Sequence, residues 1–137
     1  EVVKKLINNM MINNFLIINC TGKNDYIGLR YNNNFFTQKL QTNIGENDKL
    51  VSCLLEITKK HNLEINKDFS VIVNVGPGSF SSLRTSLSVA KGLHLSKGVM
   101  LYGYKNFNLA EFNLKNIELL IEKNLLENKL IKPLYIS

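Results

Sequence analysis

What the chain lacks narrows its chemistry first. Only two cysteines, Cys20 and Cys53, occur in 137 residues. They lie far apart with no second pair, which argues against a disulfide framework and against a zinc site built from thiolates. Both read as small buried apolar residues. The two histidines, His61 and His94, are far from any paired metal-ligand spacing, and each reads as a surface or helix-end residue. Arginine is scarce, so the net charge of +6 rests on scattered lysines. That pattern describes a weakly basic surface better than a nucleic-acid footprint, and the abundance of Asn, Lys and Ile is equally the mark of a biased coding gene. No apolar run approaches the length of a membrane span. The segment Val2, Val3, Leu6, Ile7 is too short and interrupted for a signal-peptide core, so a cytoplasmic protein with no membrane partner is expected. The chain does not begin with Met, and the adjacent Met10 and Met11 suggest that residues 1–10 are an extension.

What is present is enough for one domain: 45% of the residues are hydrophobic, sufficient to bury a real core at this length. The chain is organised around Gly76-Pro77-Gly78-Ser79-Phe80. Phe69 to Val75 before it reads as a short buried strand, and Phe80, Leu83, Leu87, Ala90 and Leu93 after it recur at helical spacing to about Ser96. Gly76 and Gly78 permit positive φ or close backbone approach, Pro77 stops the strand, and Ser79 is a natural N-cap. Gly76, Gly78 and Ser79 therefore form either a phosphate or carboxylate loop at a helix N-terminus or simply a turn.

Taken in order, Phe15–Cys20, Tyr26–Tyr31 and Phe35–Gln41 are strand candidates. The turn signals Gly22-Lys23-Asn24-Asp25 and Asn32-Asn33-Asn34 separate them, giving an antiparallel meander. Asn47 caps a helix running to His61. Its Leu50, Leu54, Ile57 stripe faces a core, and Val51, Leu55 and Thr58 widen it enough to suggest two packed sides. Val99–Tyr104 is a last strand and 115–128 a last helix. The order βββαβαβ predicts an α/β fold with a mixed sheet and places Gly76 at the carboxyl end of a strand, where open α/β sheets bind ligands.

Gly76-Pro77-Gly78-Ser79-Phe80-Ser81-Ser82-Leu83-Arg84, followed by Ala90-Lys91-Gly92-Leu93, resembles the signature of the bacterial TsaB (YeaZ) family. Its usual form is Gly-Pro-Gly-Ser-Phe-Thr-Gly-Leu-Arg, so Ser81 and Ser82 stand where Thr and Gly are usual. The resemblance runs over roughly residues 15–107, with Phe15 to Thr21 similar to a first strand ending in Asp-Thr-Ser and Asn19 in place of the Asp. It implies an actin-like ATPase (ribonuclease H-like) lobe over residues 11–112, and residues 113–137 as the remnant of a second lobe. Pro133-Leu134-Tyr135-Ile136 is similar to the family's C-terminal Pro-x-Tyr-Leu-Arg.

The same resemblance implies a role. TsaB proteins assist threonylcarbamoyladenosine formation in tRNA as non-catalytic partners of TsaD, so the chain is expected to be a scaffold and not an enzyme. Expected partners are a TsaD-like protein, a TsaE-like ATPase in a larger complex, and another copy in a homodimer, with tRNA reached only indirectly. No catalytic residue and no metal ligand is expected, and no cofactor unless ATP or ADP enters within the complex. An Asn at position 19 cannot supply the charge that magnesium favours. Ser81, Thr85, Ser88 and Gly92 recur as a strip of small side chains that a partner helix could approach, with Leu83, Arg84 and Lys91 completing the implied interface. Two other classes stay open. One is a small phosphate- or nucleotide-binding enzyme using the glycine turn, which lacks a base or nucleophile nearby. The other is an RNA-binding module stacking bases on Tyr26, Tyr31, Phe35 and Phe36.

Overall fold

The computed structural model describes residues 12–40, 47–129 and 131–135. The expected extension over residues 1–10 lies outside them, as do Gln41 at the end of the third predicted strand and Ile136 in the tail. The elements are β1 (Asn14–Asn19), β2 (Tyr26–Tyr31), β3 (Asn34–Lys39), α1 (Asn47–Lys60), β4 (Phe69–Asn74), α2 (Phe80–Lys97), β5 (Met100–Tyr104) and α3 (Leu114–Glu122). A 3₁₀ turn at Asn106–Asn108 follows β5. This is the expected order, and it builds one mixed sheet with strand order β3-β2-β1-β4-β5. β1 pairs antiparallel with β2 and parallel with β4. β3 and β5 form the edges, antiparallel to β2 and parallel to β4 respectively.

Central strands buried on both faces need apolar residues at every position, and this explains the unbroken run in β1. Phe15, Leu16, Ile17 and Ile18 have no exposed surface. Leu16 and Ile18 point into a cluster with Leu50, Leu54 and Ile57 of α1 and Leu87 and Ala90 of α2. Phe15 and Ile17 point the other way, into a cluster with Ile117, Leu120 and Ile121 of α3. Helices thus cover both faces. The Arg30 guanidinium reaches across the second face to Glu118 of α3 at 2.9 Å.

Local chemistry sets the turns and ends. Tyr31 pairs with Asn34, and Asn32 and Asn33 take φ of 49° and 66°, the two-residue hairpin in which both central residues adopt positive φ. Ser79, at φ −67° and ψ 143°, caps α2 through its side chain to the Ser82 N–H, and Gly98 at φ 73° closes the other end. The Asn113 side chain accepts from the Asn116 N–H to start α3. That helix stops at Glu122, six residues before the expected Asn128. Asn124 turns to φ 57°, which lets Leu125 and Leu126 fold back onto the sheet. Glu127 then exchanges backbone hydrogen bonds of 2.7 and 2.9 Å with Gly103, covering the β5 edge.

Two glycines distinguish packed from open backbone. A Cβ at Gly28 would lie 2.7 Å from the Phe35 ring and 2.9 Å from Ile17, whereas at Gly92 it would meet nothing within 4 Å. Gly28→Ala should therefore cost about 1–3 kcal/mol through overpacking. Gly92→Ala should stabilise by about 0.5–1 kcal/mol because the residue sits inside a helix. Urea denaturation midpoints of the two variants check both signs.

Candidate functional site

The carboxyl ends of β1, β4 and β5 meet in a buried polar network. Asn74, which has no exposed surface, ends β4. Its Nδ2 donates to Asn19 Oδ1 at 2.7 Å and to Asn106 Oδ1 at 3.0 Å, and its Oδ1 accepts from the Gly76 N–H at 2.8 Å. The Tyr104 hydroxyl also donates to Asn19 Oδ1, at 2.6 Å. Burial pushes the pKa of Tyr104 well above its ordinary value, so it remains a neutral donor. Asn19 is thus the double acceptor that joins three strand ends. Its carboxamide oxygen faces the protein's own donors.

The glycine turn lies directly above. Gly76 has φ 102° and the Gly76–Pro77 peptide is cis; a Cβ on Gly76 would collide with the Leu134 carbonyl, and one on Gly78 would lie 2.8 Å from Thr21. Both glycines are required by close approach, and Gly76 also by its positive φ. The backbone N–H groups expected to offer a phosphate loop are committed elsewhere. Gly76 donates to Asn74, Gly78 to the Leu134 carbonyl at 3.2 Å, and Ser79 to the Thr21 carbonyl at 2.9 Å. Ser79 Oγ caps the helix. The N–H groups of Gly76, Gly78 and Ser79 are thus held by Asn74, the tail and the β1–β2 connection. Leu134 contributes through a backbone bond to Val75 at 2.6 Å, and Tyr135 tilts against Phe80 with ring centres 4.6 Å apart.

Helix α2 divides the expected interface residues. Ser81, Arg84, Ser88, Lys91 and Gly92 are exposed and Thr85 is half-buried, so the small-residue strip does lie outward. Leu83 is the correction. It has no exposed surface because it shares the inward face with Leu87 and Ala90 and packs under Gly76. Phe80, expected on that inner face, is instead 54% exposed, with Arg84 over its ring. A groove of about 540 Å³ runs along Phe80, Ser81, Arg84, Thr85, Ser88 and Val89. On α1, Leu50, Leu54 and Ile57 are buried as expected, while Val51 and Leu55 are 44% and 63% exposed. The second side of that wide stripe has no cover among the described residues.

The four aromatics considered for RNA stacking are used internally. Tyr26 stacks on Phe112, Tyr31 on Phe69 and Phe36 on His61, and Phe35 packs between Phe15 and Phe112. His94 is engaged with the Val99 carbonyl at 2.6 Å. Both cysteines are free and buried; burial raises their thiol pKa values, that of Cys53 to about 11, so neither is a thiolate at neutral pH. Among the described residues no group of His, Cys, Asp or Glu is placed to hold a metal ion, and no helix is long and apolar enough to cross a membrane. Sequence reading passed over Asn74, Tyr104, Asn106 and Asp25. The one available signal was an asparagine closing an otherwise apolar strand.

The network makes a graded prediction. Tyr104→Phe leaves Asn19 with the Asn74 donor and should cost about 1 kcal/mol. Asn74→Ala strips partners from Asn19, Asn106 and the Gly76 N–H together and should cost about 3 kcal/mol or more, read from the same denaturation curves.

Comparison with known proteins gives fold relatives only. No family model matches the sequence, and no curated protein does. Among solved structures, YeaZ from Pseudomonas aeruginosa superposes with a TM-score of 0.65 at 11% identity over 72% of this chain and 46% of its own. An uncharacterized protein with similarity to peptidase YEAZ from Pseudomonas aeruginosa gives a TM-score of 0.63 at 11% identity over 72% of this chain and 45% of its own. The chain therefore spans less than half the length of these neighbours. At this identity the likeness is one of fold, and the chain is an α/β lobe of the actin-like, ribonuclease H-like kind found in YeaZ.

Proposed function

We propose that the chain is a non-catalytic scaffold subunit of the TsaB kind, whose α1–α2 face receives helices of a TsaD-like partner in tRNA threonylcarbamoyladenosine formation. The observation that carries the reading is the contrast between the turn before α2, where the N–H groups of Gly76, Gly78 and Ser79 are bonded within the chain, and the outer faces of α1 and α2, which are exposed. Val51 and Leu55 stand exposed on α1. Between the helices runs a largely apolar groove of about 490 Å³, with Leu54, Leu63, Val89 and Leu93 in its walls. Beside it Ser88 and Gly92 allow close backbone approach. Two helices of this length can supply the roughly 800 Å² per partner that a specific interface needs. In this reading the partner carries metal and transfer chemistry. A TsaE-like ATPase and any nucleotide join only in the larger cytoplasmic complex, tRNA is met through the partner, and a homodimer through the same face competes with it.

Two measurements test it. Light scattering of the chain mixed with a TsaD-like protein from the same organism should give a heterodimer at micromolar concentration. Ser88→Arg or Leu55→Asp should abolish that complex while leaving the monomer folded, because an unpaired charge would be buried. A complex indifferent to both changes removes this interface. The purified chain should also release no phosphate from ATP; turnover that survives further purification and disappears in Gly78→Val would establish the enzyme reading instead.

A further inference from the structure

The outer face of α1 and α2 carries charge of essentially one sign. Helix α2 contains no acidic residue, and its charged side chains Arg84, Lys91 and Lys97 are cationic and exposed. On α1, Lys59 is exposed one turn beyond Leu55, on the same line as Val51. Opposite charge on this face is limited. Glu64 lines the groove between the helices, and the Glu56 carboxylate accepts from Gln38 Nε2 on β3 at 2.8 Å. The ion pairs among the described residues, Arg30–Glu118 and Lys105–Glu127, engage none of these four cations.

Helical periodicity sorts the surface of α2 into three lanes. Val89 and Leu93 line the apolar groove of about 490 Å³ against α1. Ser81, Thr85, Ser88 and Gly92 run along the middle. Arg84 and Lys91, seven residues and two turns apart, form the lane farthest from α1. The helix itself accounts for Lys97, which with His94 sits in the last turn against the negative end of the dipole. Arg84 and Lys91 lie too far from that end to gain from it. Arg84 is nonetheless held in place: its guanidinium lies 5.8 Å from the centre of the Phe80 ring, which Tyr135 braces at 4.6 Å. The second groove, of about 540 Å³, opens beside this guanidinium. A positioned cation row thus runs parallel to an apolar groove, with small side chains between them.

We infer that the segment received on this face is an amphipathic helix with one apolar and one acidic flank. Its apolar side chains enter the α1–α2 groove, its backbone crosses the strip at Ser88 and Gly92, and carboxylates two turns apart pair with Arg84 and Lys91. The inference rests on the scaffold reading for the location of the interface and adds the chemistry of what is received there. Walls of leucine and valine fit the apolar face of a helix. They offer no stacking platform to a nucleic-acid strand, whose phosphates would use the cations alone. Charge pairs at the rim of such an interface fix register and speed association.

Two synthetic helical peptides test this on the full chain. They share the same Leu and Val positions and differ only in one flank, which carries Glu in one peptide and Lys in the other. Fluorescence anisotropy in about 50 mM sodium chloride should show the Glu peptide binding about tenfold more tightly, and about 500 mM salt should shrink the gap by screening the pairs. Lys91→Glu, an exposed change that leaves the core alone, should abolish the preference, and the double change Arg84→Glu with Lys91→Glu should reverse it. Equal binding of the two peptides, failure of both to bind, or a preference unmoved in folded Lys91→Glu would overturn the inference. Tighter binding of a single-stranded oligouridylate than of the Glu peptide would do the same. Light scattering with the TsaD-like protein separates this from the scaffold reading. A heterodimer lost in Leu55→Asp yet indifferent to salt and to Lys91→Glu would keep the scaffold and discard the acidic flank. Glu-peptide binding without any heterodimer would keep the acidic flank and discard the scaffold.

Discussion

The fully buried carboxamide of Asn74 is the interaction on which the upper half of the molecule depends. It closes β4, donates twice and accepts once, and so fixes β1 through Asn19, the segment after β5 through Asn106, and the start of the glycine turn through Gly76. A polar group this deep is tolerable only when every one of its bonds is made. The backbone reinforces the geometry, because the Asn106 N–H returns to the Gly76 carbonyl and the Val75 N–H to Tyr104. From that anchored turn α2 is launched in one direction only, with Leu83 under Gly76 and Leu87 and Ala90 on the sheet.

The consequence for function is an inversion of what the fold usually offers. Open α/β sheets bind small molecules at the carboxyl ends of their strands. Here that region is filled from within by asparagine side chains, by the Leu134 carbonyl, by Tyr135 against Phe80, and by Asp25, which accepts from the Thr21 and Gly22 N–H groups. The openings lie on the helices instead, where Val51, Leu55 and Leu95 are exposed and a strip of small residues runs along α2. The scaffold role proposed above draws on that surface.

Much of this was legible in the residues. Apolar runs bounded by turn signals marked the five strands, and Asn32-Asn33-Asn34 marked a turn by its tolerance of positive φ. Ser79 marked the start of a helix by capping chemistry that acts within a few residues. The alternation of Leu16 and Ile18 against Phe15 and Ile17 follows from the pleat, because a strand that buries both faces carries apolar residues throughout. These are short-range consequences, set by backbone sterics and by the need to hide apolar surface.

Which donors remain free is a different kind of question, and the sequence was silent on it. Gly76-Pro77-Gly78-Ser79 determined that a sharp turn would precede a helix. That its amides would be taken by Thr21, Asn74 and Leu134 depended on residues 2 to 58 positions away in the chain, brought together only when the sheet closes. The same holds for Asn19, whose partners Asn74 and Tyr104 sit on other strands, and for Phe80, which shares the helical period of Leu83 and Leu87 yet stands 54% exposed. Hydrogen-bond satisfaction and helix orientation are properties of the packed whole, because a buried donor accepts whichever partner the fold carries to it.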